Sequence, residues 1–141
     1  MSVIGRGTTV DSDNLPTELM LPPGSFAAWS AIFQNLLTNA FRATAEVHPG
    51  RVTIDGGAGP SKGWIRFQDN GSGMNLEIAE ELFLPFERAA ESSEKAEALG
   101  LGGSGLGLTI VRMITDELRC VVAFETPDLG WATAATITWK V

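Results

Sequence analysis

The stretch Gly100-Leu101-Gly102-Gly103-Ser104-Gly105-Leu106-Gly107-Leu108 leads into a helix that we predict from about Ser104 to Leu118. Closely spaced glycines at a helix start expose backbone N–H groups, and the positive end of the helix dipole favours an anion there. A flexible linker normally carries serines and no leucines, whereas Leu106 and Leu108 continue in phase with the apolar residues of the helix. The stretch is therefore predicted to belong to a packed element that binds phosphate.

A longer helix is predicted earlier in the chain, from an N-cap at Ser25 to about Thr44. Its apolar residues recur at three- and four-residue spacing, which indicates a wide buried stripe. These residues are Trp29, Ile32, Phe33, Leu36, Leu37, Ala40 and Phe41.

A polar line adjoins that stripe, because Asn35, Asn39 and Arg42 fall at positions i, i+4 and i+7. An amide oxygen is a hard, neutral ligand for magnesium, an amide nitrogen can donate to phosphate, and an arginine one turn on can neutralise a phosphate oxygen. The alternative is that both asparagines lie at the helix margin and bond neighbouring backbone groups.

A second polar motif, Asp69-Asn70-Gly71-Ser72-Gly73-Met74, directly follows a predicted strand from Gly63 to Gln68. A carboxylate at a strand end can accept the exocyclic amine of adenine, and the glycines let the backbone approach the base. The alternative is an ordinary turn after a strand.

The remaining elements complete an α+β pattern in which antiparallel strands carry helices on one face. We predict strands at Arg51–Asp55, Cys120–Glu125 and Trp131–Val141, a turn at Gly56–Pro60 and a short helix at Leu76–Leu82. Residues 1–17 are predicted to be an extended, partly disordered lead-in with at most one edge strand, and residues 18–141 one domain. The charged segment at about 87–103 is predicted to be a mobile lid.

Composition narrows the class of protein. The chain has 141 residues and a formal net charge of -7, with no lysine or arginine run, which argues against binding to nucleic acid or to an anionic membrane. One cysteine, Cys120, cannot form an internal disulfide, and no signal peptide or membrane span is evident. We expect a cytoplasmic location without membrane contact by this domain, whether or not a longer parent protein is membrane-anchored.

Taken in order, these motifs resemble the catalytic ATP-binding domain of sensor histidine kinases, within the superfamily that includes type II topoisomerase, mismatch-repair and chaperone ATPases. Asn35 to Ala40 is similar to the family's asparagine box, Asp69 to Gly73 to its first glycine box, Leu82 to Arg88 to its phenylalanine box, and Gly103 to Leu108 to its second glycine box. The resemblance covers roughly Ser25 to Val141.

The resemblance implies ATP and magnesium as ligands. Asn39 would ligate magnesium, with Asn35 and Arg42 supporting the phosphates, and both asparagines would be the catalytic positions. Asp69 would bind the adenine amine, and Phe83 and Phe86 would anchor the lid, although both could be core aromatics. The other nucleotide contacts would come from Ala43, Gly71, Gly73, Met74, Gly103, Ser104, Gly105, Leu106, Gly107, Leu108 and Thr133.

The implied fold is a two-layer α/β sandwich, the Bergerat fold, whose mixed, mainly antiparallel sheet is covered by three helices on one face. The implied reaction is transfer of the γ-phosphoryl group to a histidine on a separate dimerisation domain, from which a response regulator receiver domain would take it. The isolated domain would be a monomer. The alternatives are an ATP-hydrolysing switch, a serine kinase of related type, and a degenerate nucleotide- or protein-binding module without transfer activity.

Two departures from the family pattern stand out. Ala43 occupies the position after Arg42, where many members carry an aromatic residue near the adenine. No histidine lies in the family's phosphoacceptor helix pattern, since His48 follows the asparagine box in a loop. The chain is therefore not expected to phosphorylate itself in the family's usual way.

Overall fold

The computed structural model describes residues 2–4, 8–84 and 107–141. The strands are β1 (Ser2–Ile4), β2 (Thr8–Asp11), β3 (Gly50–Ala58), β4 (Lys62–Asp69), β5 (Val121–Glu125) and β6 (Thr133–Lys140). The helices are α1 (Phe26–Ala43), α2 (Gly107–Glu117) and a 3-10 helix at Ala79–Phe83.

Helix α1 forms where the apolar periodicity predicts it. The Ser25 hydroxyl accepts the backbone N–H of Ala28 at 3.0 Å and caps the first turn. At the other end, the Thr44 hydroxyl donates to the Ala40 carbonyl at 3.0 Å, one turn back. The 18-residue helix buries one stripe of side chains that includes Trp29, Ile32 and Leu36. The prediction of a helix from Ser25 to Thr44 is confirmed.

The six strands form one mixed sheet in the order β1-β2-β3-β4-β6-β5. Strand β2 pairs with β3 in parallel, and the other described neighbours pair antiparallel. The register places Asp69, at the end of β4, opposite Thr133, at the start of β6. The predicted mixed, mainly antiparallel sheet is confirmed.

One face of this sheet carries the core. Ile65 of β4 and Ile137 of β6 are opposite each other and are 1% and 0% exposed. The same cluster contains Leu36 of α1 and Val111 of α2, so both helices cover this face. The α+β sandwich with helices on one face is therefore confirmed.

The helix count differs from the prediction. The described residues contain two α-helices and a 3-10 helix instead of three regular helices. The helix predicted at Leu76–Leu82 is replaced by the 3-10 helix Ala79–Phe83, which has no side-chain N-cap at Ile78. A segment this short and uncapped cannot sustain a regular α-helix without packing along its length.

One predicted strand boundary and one predicted number of strands were also wrong. The predicted turn at Gly56–Pro60 begins later, because Gly56 and Gly57 continue strand β3 to Ala58. A Cβ atom at Gly57 would lie 3.0 Å from the Trp64 indole nitrogen, so glycine permits close packing here. The lead-in contains two strands, β1 and β2, where at most one was predicted.

The opposite face of the sheet holds a polar network that fastens the loop before β6. The amide of Gln68, 1% exposed, accepts from the Asp128 backbone N–H at 2.8 Å and donates to the Asp128 carboxylate at 3.0 Å. Arg66 donates to the carboxylates of Glu125 and Asp128. These bonds fix the loop that leads into Thr133.

Candidate functional site

A small cavity lies between α1 and the sheet, at the end where β4 finishes and β6 begins. Polar and apolar side chains from four elements line it. These residues are Leu36, Asn39, Ala40, Phe67, Asp69, Phe124, Thr133 and Ala135. Three of them, Asn39, Asp69 and Thr133, are site residues predicted from the sequence.

Asp69 supplies a buried carboxyl group to this cavity. The residue is 5% exposed, and its Oδ1 accepts the backbone N–H of Gly71 at 2.9 Å. Burial raises the pKa of the carboxyl from 3.8 to about 6, against the lowering effect of the Gly71 hydrogen bond. At neutral pH the group is therefore an ionised acceptor.

Thr133 lies beside Asp69 because the two residues are partners in the β4–β6 ladder. It is 6% exposed, and the backbone N–H of its neighbour Ala132 donates to the Asp69 carbonyl at 2.8 Å. A carboxylate and a hydroxyl thus share one end of the cavity, where they can serve a ligand that carries both donors and acceptors.

Asn39 contributes an unsatisfied amide to the cavity. Its Nδ2 atom is buried and has no hydrogen-bond partner among the described residues. Buried polar groups nearly always have partners, so an orphaned amide beside a cavity indicates that a ligand or water completes it. The amide oxygen and nitrogen are interchangeable by rotation, so either atom can be presented.

Asn35 contacts the start of α2. Its Nδ2 donates to the Ala31 carbonyl at 2.7 Å, one turn back. This is the bond to neighbouring backbone that the sequence analysis gave as the alternative to a ligand role. A Cβ atom built on Gly107 would lie 2.8 Å from the Asn35 Oδ1 atom. The close approach of α1 to the glycine-rich helix start therefore depends on glycine at this position. Leu108, the next residue, is buried in the core at 7% exposure.

Ala43 and Gly71 join the end of α1 to the motif after β4. A Cβ atom on Gly71 would lie 2.4 Å from the Ala43 carbonyl oxygen, and the Ser72 backbone N–H donates to that carbonyl at 3.2 Å. Ala43 is 6% exposed and is not among the residues that line the cavity. The Ala43 side chain would also lie 2.8 Å from a Cβ atom on Gly71, so position 71 has no room for a side chain.

The other predicted site residues do not line the cavity, or they lie outside the described residues. Gly73 adopts a positive φ of 77°, as a glycine in this motif allows, and Met74 packs against the core. Arg42 is exposed on the last turn of α1. Phe86, Gly103, Ser104, Gly105 and Leu106 lie outside the described residues, as does the predicted lid at 87–103.

Phe83 belongs to a cluster beside the cavity. It is 3% exposed, and the Arg112 guanidinium carbon lies 4.3 Å from the centroid of its ring. Arg112 also donates to the Glu80 carboxylate at 2.8 Å. The Thr109 hydroxyl donates to the Leu84 carbonyl. These contacts tie the 3-10 helix to α2.

Five lining residues were not predicted as site residues: Leu36, Ala40, Phe67, Phe124 and Ala135. Phe67 could have been found, because it precedes Asp69 by two residues and a strand presents such residues on one face. Phe124 gave no comparable signal, since its place beside the cavity depends on the pairing of β5 with β6.

The described residues contain no group of three or more histidine, cysteine, aspartate or glutamate side chains that could hold a metal ion by themselves. Among residues 2–4, 8–84 and 107–141, neither α-helix combines the length and apolar character that a membrane span requires.

Comparison with known proteins gives a consistent picture. Residues 27–141 match the family described as histidine kinase-, DNA gyrase B-, and HSP90-like ATPase. Sensor histidine kinase CpxA of Escherichia coli is 30% identical over 129 residues, which span 90% of this chain and 25% of CpxA. Sensor protein PfeS of Pseudomonas aeruginosa is 37% identical over 79 residues, or 56% of this chain and 16% of PfeS. The chain thus matches a quarter or less of the length of these relatives.

Solved structures share the fold. The catalytic domain of histidine kinase ThkA superposes with a TM-score of 0.68 at 22% identity, covering 94% of this chain and 78% of that one. The mycobacterial sensor histidine kinase MprB gives a TM-score of 0.66 at 20% identity over 94% of this chain and 80% of that one. Full-length ShkA in complex with AMPPNP gives 0.60 at 20% identity, covering 95% of this chain and 24% of ShkA.

Proposed function

We propose a function from one premise: this chain belongs to the family of histidine kinase-, DNA gyrase B-, and HSP90-like ATPases, and it corresponds to the catalytic ATPase domain of two-component sensor histidine kinases. The domain binds ATP and magnesium and transfers the γ-phosphoryl group to a histidine on a separate dimerisation domain. The observation that carries this proposal is the orphaned Asn39 amide in a cavity shared with Asp69 and Thr133.

The cavity suits an adenine base. The Asp69 carboxylate can accept a hydrogen bond from the exocyclic amine, and the Thr133 hydroxyl can donate to or accept from the neighbouring ring edge. The apolar lining of Leu36, Phe67 and Ala135 suits the faces of the base.

The phosphates would lie towards the start of α2. Gly107 approaches Asn35 closely there, and the helix N-terminus favours negative charge. We include Gly103, Ser104, Gly105 and Leu106 in this phosphate site as predictions from the sequence. Arg42, exposed near the end of α1, would offer a positive charge to the same group.

Magnesium fits the residues present. Magnesium prefers oxygen ligands and usually completes its shell with substrate phosphates and water, so a full set of protein carboxylates is not needed. Asn39 would supply one hard amide oxygen, in keeping with its unsatisfied state. When bound, the ion would neutralise charge that develops on the transferring phosphoryl group. The protein side chains would position the nucleotide.

The hydrolytic alternative is disfavoured at Asn35. An ATP-hydrolysing relative would need a general base one turn before the magnesium residue, and an amide is not a base. Asn35 also donates to the Ala31 carbonyl, which fixes its orientation. The phosphoacceptor histidine and its acid–base partner would come from the dimerisation domain, and a receiver domain would accept the phosphoryl group in turn.

An assay with γ-labelled ATP separates the candidate functions. The chain is incubated with a histidine-bearing dimerisation domain of a sensor kinase, magnesium and labelled ATP, and the products are tested for acid stability. Acid-labile label on that domain, absent when its phosphoacceptor histidine is replaced by glutamine, is the expected result. Acid-stable label would indicate a serine kinase, and free phosphate alone would indicate an ATPase. Neither product would indicate a binding module, and all three of these outcomes contradict the proposal.

A further inference from the structure

The residues that line the cavity differ in how much surface they still offer. Leu36, Ala40, Phe67 and Ala135 are only 3–5% exposed and belong to the core. Asp69 and Thr133 are also buried. Asn39 and Phe124 are the two lining residues that are only partly buried. Because the Asn39 Nδ2 atom is itself buried, Phe124 is the lining residue whose side chain keeps accessible surface.

The Phe124 ring is held in place by its contact with Phe83. Its centroid lies 5.3 Å from that of Phe83, with the two ring planes tilted by 32°. Phe83 is itself fixed, because it is 3% exposed and has the Arg112 guanidinium over its ring. Arg112 in turn approaches the Val122 carbonyl, two residues before Phe124, at 3.4 Å. A ring fixed in this way can offer a preorganised surface to a ligand.

Ala43 cannot offer a flat aromatic surface to a ligand in this chain. It is buried against Gly71 and does not line the cavity. Of the aromatic side chains at the cavity, Phe67 is committed to the core and to an edge-to-face contact with Phe33 at 5.2 Å. Phe124 is therefore the aromatic lining residue with surface available for a flat ligand.

We propose that Phe124 is a specificity-determining contact, packing its ring against the adenine base whose polar edge is addressed by Asp69 and Thr133. The inference rests on the proposed nucleotide-binding function and adds the side chain that recognises the flat, aromatic character of the base. Aromatic pairs of this kind favour offset or edge-to-face geometry and contribute beyond the area that they bury.

The test compares two Phe-to-Leu variants by calorimetric titration with ADP. Phe124→Leu should raise the Kd for ADP roughly tenfold, the loss expected for one aromatic contact. Phe41→Leu is the matched control, because it also replaces a partly buried phenylalanine that packs against the core but does not line the cavity. It should leave the Kd near the wild-type value. Phe124→Tyr keeps the ring and should retain most of the affinity.

Thermal melts accompany each titration. If Phe124→Leu does not fold, Phe124→Met takes its place with a similar volume. An unchanged Kd for a folded Phe124 variant that lacks the ring, or an equal loss in Phe41→Leu, overturns the inference while the proposed function stands. Absence of ADP binding by the wild-type chain overturns the proposed function, and the inference with it.

Discussion

Asp69 is a buried carboxyl group that lowers stability when it ionises, and it is the proposed acceptor for the adenine amine. The residue is 5% exposed, and none of the described ion pairs includes its carboxyl group. Burial raises its pKa from 3.8 to about 6, so ionising it at neutral pH costs folding free energy. A group kept at such a cost is typical of a binding or catalytic position.

The substitution Asp69→Asn should stabilise the ligand-free chain and weaken ADP binding. Asparagine can still accept the Gly71 N–H through its oxygen but carries no charge to desolvate. A shift from 3.8 to about 6 corresponds to at most about 3 kcal/mol at neutral pH. Loss of a charged acceptor for the adenine amine should raise the Kd at least tenfold. Urea unfolding and calorimetry measure the two effects.

The stability gain of Asp69→Asn should depend on pH. Because the folded-state pKa lies above the unfolded one, the stabilising effect of the wild-type carboxyl is fully present below 3.8 and is lost as pH rises through about 6. The difference between variant and wild type should therefore be small near pH 4 and grow towards pH 7. Asp116→Asn, at an exposed position on α2, should show no such growth. A difference independent of pH would contradict the assignment of a buried, ionised Asp69.

Sequence reasoning located three residues of the cavity but missed its aromatic lining residues, Phe67 and Phe124. Asn39 and Asp69 were identifiable because a buried-stripe helix and a strand end rarely carry such polar groups without a reason. Thr133 came from the resemblance alone. Phe124 could not be predicted, because a phenylalanine in an apolar strand has no local signal that distinguishes a ligand contact from core.

At the scale of elements, Arg112 connects three of them. Its guanidinium group stands over the Phe83 ring on the 3-10 helix, pairs with Glu80 at 2.8 Å, and approaches the Val122 carbonyl on β5. The Glu80 side chain is 69% exposed, so its ion pair contributes little to stability. The contact with the buried Phe83 ring should contribute more, because it is shielded from water.

Two substitutions separate these contributions. Arg112→Met keeps an unbranched stem but removes the guanidinium group, and it should lower the free energy of unfolding by about 1–2 kcal/mol. Glu80→Gln removes only the ion pair and should cost no more than about 0.5 kcal/mol. Urea denaturation of both variants measures the difference. Equal losses would show that the exposed ion pair, and not the ring contact, holds the 3-10 helix against α2.

The helices and strands with the clearest apolar periodicity were the ones that the sequence predicted correctly. Helix α1 follows from an apolar stripe and an N-cap serine, and β3 follows from alternation with β-branched residues. The short helix near residue 80 was misassigned because a few apolar residues do not distinguish a 3-10 helix from an α-helix. The sequence did not predict two strands in the lead-in, because β2 is stabilised by parallel pairing with β3, about forty residues away in sequence. Such long-range pairing is not encoded in a local window.

At the scale of the whole molecule, the strand order creates the site. Strand β6 inserts between β4 and β5, so Thr133 lies beside Asp69, and Phe124 of β5 lines the same cavity. Helix α1 then places Asn39 over the same end of the sheet. On the opposite face, the hydrogen bonds between Gln68 and Asp128 fix the loop that precedes Thr133. The cavity therefore depends on residues from both halves of the chain.

The central claim is that this cavity binds a magnesium nucleotide through Asn39 and Asp69. The most direct test is a calorimetric titration of the chain with ADP and with a non-hydrolysable ATP analogue, with and without magnesium, for wild type and Asn39→Ala. Thr38→Ala is the matched control, because Thr38 adjoins Asn39 on α1 and its hydroxyl donates to the Gln34 carbonyl within the same helix. We predict saturable binding that magnesium strengthens, retained by Thr38→Ala and lost by Asn39→Ala with its melting temperature little changed. Wild-type affinity in a folded Asn39→Ala variant, or no binding by the wild type at millimolar nucleotide, would contradict the account.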